Sequence, residues 1–236
     1  AATIGADKEL ILTAPDTTRR ITLSGQVSDN PGGASGLTLT GGGRADLTAS
    51  TTYSGITVLH AGQLYISNSS ALGSTNGHTV IYSSSSSVTG GQLVVLGNIT
   101  IREPITIVGR GDAAPYSQAI RVNGGGGTNT LEGPISLEGA GVRITAGSIG
   151  TALNINAPIT RNFSAGSDIK LGGNGAGGTV NVNAPIDNKG GTISLHSGPG
   201  TIRFNVSGNN IGDMNVQWGH LLQLGVSDAL PTTRSL

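Results

Sequence analysis

Four times along the chain, a short alternating apolar segment runs into a Pro-Ile pair: Ile99 to Ile105 (ITIREPI), Thr130 to Ile135 (TLEGPI), Leu153 to Ile159 (LNINAPI) and Val180 to Ile186 (VNVNAPI). The prolines, Pro104, Pro134, Pro158 and Pro185, stand 30, 24 and 27 residues apart. A period of that size belongs to repeat architectures, in which one unit cannot bury its apolar side alone and must stack on the next. Proline donates nothing to a strand ladder and fixes φ near −65°, so each Pro-Ile predicts a bend between two strands. Ile21 to Val27 (ITLSGQV), alternating apolar and polar, reads as the first relative of the same unit.

Three short strands fit within one period. The third Pro-Ile unit has Leu153 to Ile155, Ile159 with its neighbours, and Ile169 to Leu171; the next has Val180 to Val182, Ile186, and Ile193 to Leu195, and Ile202 to Phe204 opens another. Three strands and three corners make a triangular rung. No stretch of helical length keeps apolar spacings of three and four without Gly, Pro or β-branched interruption. The fold class is therefore all-β: a single parallel β-helix, or β-solenoid, over residues 1–236, with rungs of about 25 residues. At the ~4.8 Å strand spacing, roughly nine such rungs span on the order of 40 Å. Its interior columns should hold Ile101, Leu131, Leu153, Ile155, Val180, Val182, Ile202 and Phe204.

Composition agrees. Glycine is 40 of 236 residues, aromatics are 3% and charged residues 11%, too few large side chains for a wide core but enough Val, Ile and Leu for a thin one stacked along an axis. The glycines lack a G-X-Y period, and runs such as Gly124 to Gly127 fall between strands, where turns need left-handed backbone. Gly109 to Gln118 (GRGDAAPYSQ) reads as a surface loop that stretches one period to 30, and Ser83 to Ser87 as a turn or a polar outward strand. Thirteen basic and thirteen acidic residues, scattered singly, form no basic face, so nucleic acid is not an expected partner. There is no cysteine, hence no disulfide framework and no thiolate metal site. The longest apolar run, Leu93 to Leu96, is far short of the roughly 20 residues of a membrane-spanning helix. The chain begins Ala1-Ala2, as a mature or excised product would.

A second, longer pattern also returns. The stretch Leu47 to Gly73 returns in part, ungapped and 158 residues later, between Asn209 and Pro231: Tyr53 falls on Ile211, Val58 on Val216, Leu64 on Leu222, Ile66 on Leu224, Ala71 on Ala229 and Leu72 on Leu230. In the first copy, Tyr53-Ser54-Gly55, Ala61-Gly62, Leu64 and Ala71-Leu72-Gly73 stand at the spacing of the passenger-associated, or autotransporter-associated, β-strand repeat, and the chain resembles that family. The resemblance implies a secreted bacterial passenger built as a right-handed parallel β-helix, located outside the cell or on its surface, and it names no substrate. The second copy departs at Gly212-Asp213 and at Pro231.

The ends are read from charge and strand edges. Residues 1–20 carry Asp7, Lys8, Glu9, Asp16, Arg19 and Arg20 around Leu10-Ile11-Leu12, the pattern of a charged end strand or cap. Residues 210–236 form an incomplete last rung, since six residues follow Leu230. An uncovered rung is a template for another chain. The expected partners are therefore copies of the chain stacking end to end, or further repeats of a longer chain. The residues expected to carry that contact are Glu9, Leu10, Ile11, Leu12 and Thr13 at one end and Leu222, Leu224 and Leu230 at the other.

Chemistry is sparse. Arg110-Gly111-Asp112 matches an integrin-binding tripeptide but reads as a turn in so glycine-rich a chain. The Gly172 to Gly177 run lacks the Asp that a calcium-binding nonapeptide would need where Gly177 stands. His60, His78, His196 and His220 form no H-x-H or H-x-x-x-H pair, so neither metal nor other cofactor is expected. Polysaccharide lyases and hydrolases on this fold gather carboxylates on adjacent rungs. Here Glu103 and Glu132 stand at comparable corners before their prolines, with Ala157 and Ala184 at the equivalent positions beyond them. The sequence thus points to a structural or adhesive module that is not an enzyme, with glycan binding or degradation as the alternative.

Overall fold

The structure, a computed structural model, describes residues 1–83, 90–109, 118–124, 126–139, 141–163, 168–173, 177–196, 198–217 and 219–231. Among these residues there is no helix, and every strand pairing is parallel. The chain coils through three sheets in turn. One has eight strands, from Glu9–Thr13 to Ile186–Asp187; one has nine, from Arg20–Leu23 to Met214–Val216; one has six, from Thr100–Ile101 to Leu221–Leu224. The result is a β-solenoid of about 8 turns with about 24 residues per turn. The interruption at 110–117, read from the sequence as a surface loop, and most of the serine run lie outside the described residues.

The third face starts as the pair Ala2–Ile4 and Val27–Asp29 and becomes regular only at Thr100–Ile101. Irregular backbone bridges the gap. The Thr52 N–H donates to Val27 O (2.8 Å), the Thr51 N–H to Ser70 O (3.0 Å) and the Thr100 N–H to the Ser69 hydroxyl (3.1 Å). The family-like segment is thus the part of the chain that carries this face without forming strands on it.

The columns expected from the sequence are present. Ile101, Leu131, Ile155, Val182 and Phe204 register on one another, as do Leu153, Val180 and Ile202, and all are buried. Each Pro-Ile turns the corner from the six-stranded to the eight-stranded face. Its proline donates nothing, but its carbonyl accepts from one turn earlier: Thr79 N–H to Pro104 O, Ile105 to Pro134, Ile135 to Pro158 (each 2.9 Å) and Ile159 to Pro185 (3.2 Å). A residue that would break a central strand here closes the ladder at its end.

Two sequence readings change. Ile21 to Val27 is not in phase with the Pro-Ile units: Arg20–Leu23 lies on the nine-stranded face and Val27–Asp29 on the next, so this segment turns a different corner. The long repeat is also out of phase in space. Val58 lies on the eight-stranded face but its match Val216 on the nine-stranded one, and Leu64 lies on the nine-stranded face but its match Leu222 on the six-stranded one. The 158-residue offset is not a whole number of turns, so the second copy reuses the same strand-corner-strand pattern one face further on.

One column changes character along its length. Leu12, Leu39, Leu59, Ile81, Ile107 and Leu137 stack inward on the eight-stranded face, and the next residue in register is Arg161, 1% exposed. Burial lowers the pKa of its guanidinium and Asp168 opposes that, while the Phe163 ring lies 5.0 Å away. Asn188, also buried, follows one turn on.

Candidate functional site

One cluster of buried polar side chains forms around the segment that carries the family resemblance. On the eight-stranded face the inward column runs Leu37, Thr57, Thr79, Ile105, so that two threonines replace apolar residues on consecutive turns. Tyr53, fully buried, sets its hydroxyl 2.7 Å from Thr57 Oγ1, and the Thr57 hydroxyl donates to Leu72 O at 3.0 Å. Burial, above all, raises the Tyr53 pKa, and the nearby Glu103 charge adds to that shift.

Glu103 is 3% exposed, and its carboxyl oxygens make no hydrogen bond of good geometry, although the Thr79 hydroxyl interacts with them; Ser74 Oγ is buried and without a partner. Burial pushes the Glu103 carboxyl up to about 8, and a hydrogen bond with the Thr79 hydroxyl pulls the other way. A buried carboxyl is costly when ionised, which is why the neutral form is favoured at pH 7.

Glu103 also lines a cleft of about 80 Å³, together with Ser69, Ser70, Leu72, Gly73, Thr75, Ile101 and Arg102. The Nε of Arg102, one of these lining residues, lies 3.0 Å from Glu132 Oε2, and both side chains reach solvent. This corrects the expectation that Glu103 and Glu132 are equivalent corners. Ile101 registers on Leu131, which sets Arg102 level with Glu132 and Glu103 level with Gly133. A Cβ on Gly133 would stand 2.0 Å from Glu103 O, so glycine is required above this carboxylate. Glu103 points inward and Glu132 outward because adjacent residues of a strand take opposite faces. The two do not face each other as an acid and base pair would.

The residues expected to carry assembly lie at the two ends. Glu9–Thr13 is paired only with Gly36–Thr40 among the described residues; Leu12 points inward and is buried, Leu10 is half-buried, Ile11 is 57% exposed, and Glu9 accepts from the Thr38 hydroxyl. At the other end Leu221–Leu224 is paired, among the described residues, only with Thr201–Phe204, Leu222 and Leu230 pack partly against the core, and Leu221 and Leu224 are about half exposed. The two sets lie on different faces. The strand in line with Leu221–Leu224 at the opposite end is Ala2–Ile4.

The remaining candidates disperse. Arg110-Gly111-Asp112 lies outside the described residues, as do 174–176 of the glycine run. His60 stacks on Tyr82 (centroids 4.6 Å apart), His196 Nδ1 lies 3.3 Å from the Arg143 guanidinium and His220 Nδ1 lies 3.3 Å from Gly200 O. Among the described residues no three His, Cys, Asp or Glu side chains come together in a way that could hold a metal.

Sequence reading missed the ladders on the outside of the six-stranded face. The Asn183 amide donates to Asn156 Oδ1 (2.8 Å) and the Asn205 amide to Asn183 Oδ1 (2.7 Å); beside them Asn181 donates to Asn154 Oδ1 (2.8 Å). Their signal was present in LNINAPI and VNVNAPI, where both asparagines keep their offset from the proline. No protein-family model, curated protein or solved structure matches the chain.

Proposed function

We propose that the chain is a structural or adhesive stalk module of a bacterial extracellular or cell-surface β-solenoid, of the autotransporter-passenger kind its Tyr53 to Gly73 segment resembles. The observation that carries this reading is the state of the ends. Among the described residues, Leu221–Leu224 has one edge without a strand partner, with Leu221 and Leu224 exposed, and Ala2–Ile4 has the complementary edge of the same face. Such edges are satisfied either by further repeats of a longer chain or by another copy in a head-to-tail stack, which does not close on itself and so makes a fibre. In that stack Ala2–Ile4 of one copy lies over Leu221–Leu224 of the next, and Glu9–Thr13 over the segment around Leu230.

The test is sedimentation velocity with negative-stain microscopy of the 236-residue chain over a range of concentrations. Fibres that disappear in Leu222→Asp/Leu224→Asp establish self-assembly. Monodisperse particles at high concentration leave continuation by further repeats. The alternative, a glycan-degrading or glycan-binding solenoid, is supported by the raised pKa of Glu103 beside a cleft, but the second carboxylate is turned outward onto Arg102. A glycan array and a depolymerase assay on the same preparation separate these readings, and depolymerisation lost in Glu103→Gln would replace the structural one.

A further inference from the structure

Apart from Ile149, the large apolar side chains exposed among the described residues fall in two groups. Val216, Leu221, Leu224 and Val226 belong to the C-terminal end, while Ile11, Ile56 and Tyr82 (57, 43 and 41% exposed) lie on the outside of the eight-stranded face. Strand register builds that outside from three columns. The middle one stacks Thr38, Val58, Val80, Thr106, Ser136 and Thr160, all small and β-branched or hydroxylic. Ile56, His78 and Pro104 stand level with one another on one flank, and His60, Tyr82 and Val108 on the other. No Asp, Glu, Lys or Arg stands on the outer side of Gly36–Thr40, Thr57–Leu59, Thr79–Ser83 or Ile105–Gly109.

We infer that this face binds the same face of a second copy of the chain, about a two-fold axis that runs along the coil. An uncharged face offers nothing to a charged partner and does not repel its own copy. Short side chains let two sheets close to the ~10 Å separation of packed sheets. Eight strands at ~4.8 Å and about five residues at ~3.3 Å make a face of roughly 34 by 16 Å. Two such faces bury on the order of 1,000 Å², the lower limit of a specific interface, so the pair is a weak one.

The axis follows from a gradient along the face. Its apolar residues, Ile11, Ile56, Val58, Val80 and Tyr82, lie in the early turns, and Ser136, Glu138, Asn162 and Asp187 in the later ones. An axis along the coil keeps each turn opposite its own counterpart, whereas an axis across it would lay Ile11 on Asp187. Along the coil, the middle column pairs with itself, Val58 on Val58 and Val80 on Val80, and the flanks exchange: Ile56 meets the second copy's His60, His78 meets Tyr82 and Pro104 meets Val108. Asp187 meets its counterpart only at the rim, where its carboxylate already accepts from the Asn210 amide and the Lys189 N–H.

The proposal does not rest on the stalk reading, because both coils point the same way and their ends stay free. The experiment therefore uses the full chain carrying Leu222→Asp/Leu224→Asp, in which the end contact is disabled. Sedimentation velocity should show a reversible monomer-to-dimer shift as the concentration rises into the high micromolar range. Val58→Lys/Val80→Lys, which brings four lysines into one interface, should weaken it by at least about tenfold. Asn181→Lys, on the six-stranded face, should leave it unchanged. The chain has no cysteine, so Val58→Cys under mild oxidation reads the axis: self-pairing gives disulfide-linked dimers, whereas an axis across the coil sets Val58 against Ser136 and gives none. A chain that stays monomeric, a dimer that survives Val58→Lys/Val80→Lys, or a dimer in which Val58→Cys does not cross-link overturns the proposal. So does a monomer that binds an insoluble polysaccharide and loses that binding in Val58→Lys/Val80→Lys, which would assign the face to a glycan. Should the double lysine variant not fold by circular dichroism, Thr106→Lys alone carries the same test from the same column.

Discussion

The Tyr53 hydroxyl stands 2.7 Å from Thr57 Oγ1, and Thr57 passes its own hydrogen to the Leu72 carbonyl, so Tyr53 is the donor in a short buried chain. That chain links successive segments of the coil where the third face has no strands. Tyr53→Phe removes one link while Thr57 keeps its acceptor, and should cost about 1 kcal/mol. Tyr53→Ala leaves a cavity in the core as well and should cost about 3–5 kcal/mol. Urea titrations followed by circular dichroism check both, and equal midpoints for Tyr53→Phe and Tyr53→Ala would show that the ring is not a core element.

Gly73 packs on the same tyrosine. Its φ is +98°, and a Cβ there would come within 2.6 Å of Tyr53 O and 2.9 Å of the ring. Gly73→Ala therefore meets backbone strain and a clash together, for about 3 kcal/mol. Gly97 supplies the control. It too has positive φ, +81°, but nothing lies within 4 Å of its Cβ position, so Gly97→Ala should cost only about 1 kcal/mol. The difference between the two denaturation midpoints isolates the contact with Tyr53.

What could be read from the sequence follows from which features are local. Pro104, Pro134, Pro158 and Pro185 announce their corners because a fixed φ and a missing N–H act wherever the residue sits, and the apolar pairs around them fix the strands. Phase around the coil is not local. The match of Val58 with Val216 is exact in spacing, yet loops of different length between the copies place them on different faces. The direction of Glu103 depended on a single residue of register: one step separates it from Arg102, and that step decides between interior and solvent. Arg161 was hidden for the converse reason, as nothing in ITRNF marks an arginine in the place of an inward leucine until Leu137 is seen stacked beneath it.

The asparagine ladder makes a milder prediction. Asn183 gives one hydrogen bond to Asn156 and takes one from Asn205, all at solvent-exposed positions. Asn183→Ala should lower stability by about 1 kcal/mol, less than two buried bonds would, because water replaces the lost partners. Asn183→Asp keeps the acceptor for Asn205 but turns a donor toward Asn156 into a second acceptor, so it should be at least as damaging at pH 7 and milder at pH 3, where the side chain can again donate. Amide exchange across Asn154–Asn156 and Asn181–Asn183 would register the change locally.

Stability should fall as the pH rises from weakly acid to just above neutral, and Glu103 sets the window. Its folded-state pKa of about 8 lies above the ordinary carboxyl value of 4.5, so the folded protein holds this proton more tightly than the unfolded chain does. Below about pH 4.5 both states carry the proton and the group has no further effect on the slope. Between 4.5 and 8 the folded state binds one proton that the unfolded state has released, and stability declines by about 1.4 kcal/mol per pH unit. Above 8 both states are ionised and the decline ends. Glu103→Gln carries a neutral amide of the same shape throughout, so wild type should lose stability relative to the variant from pH 5 to 8 and run parallel to it above that. The comparison is made by chemical denaturation of wild type and variant from pH 5 to 9. A wild-type curve that stays parallel to the variant from pH 5 to 9 would mean that Glu103 is ionised and solvated in the folded state.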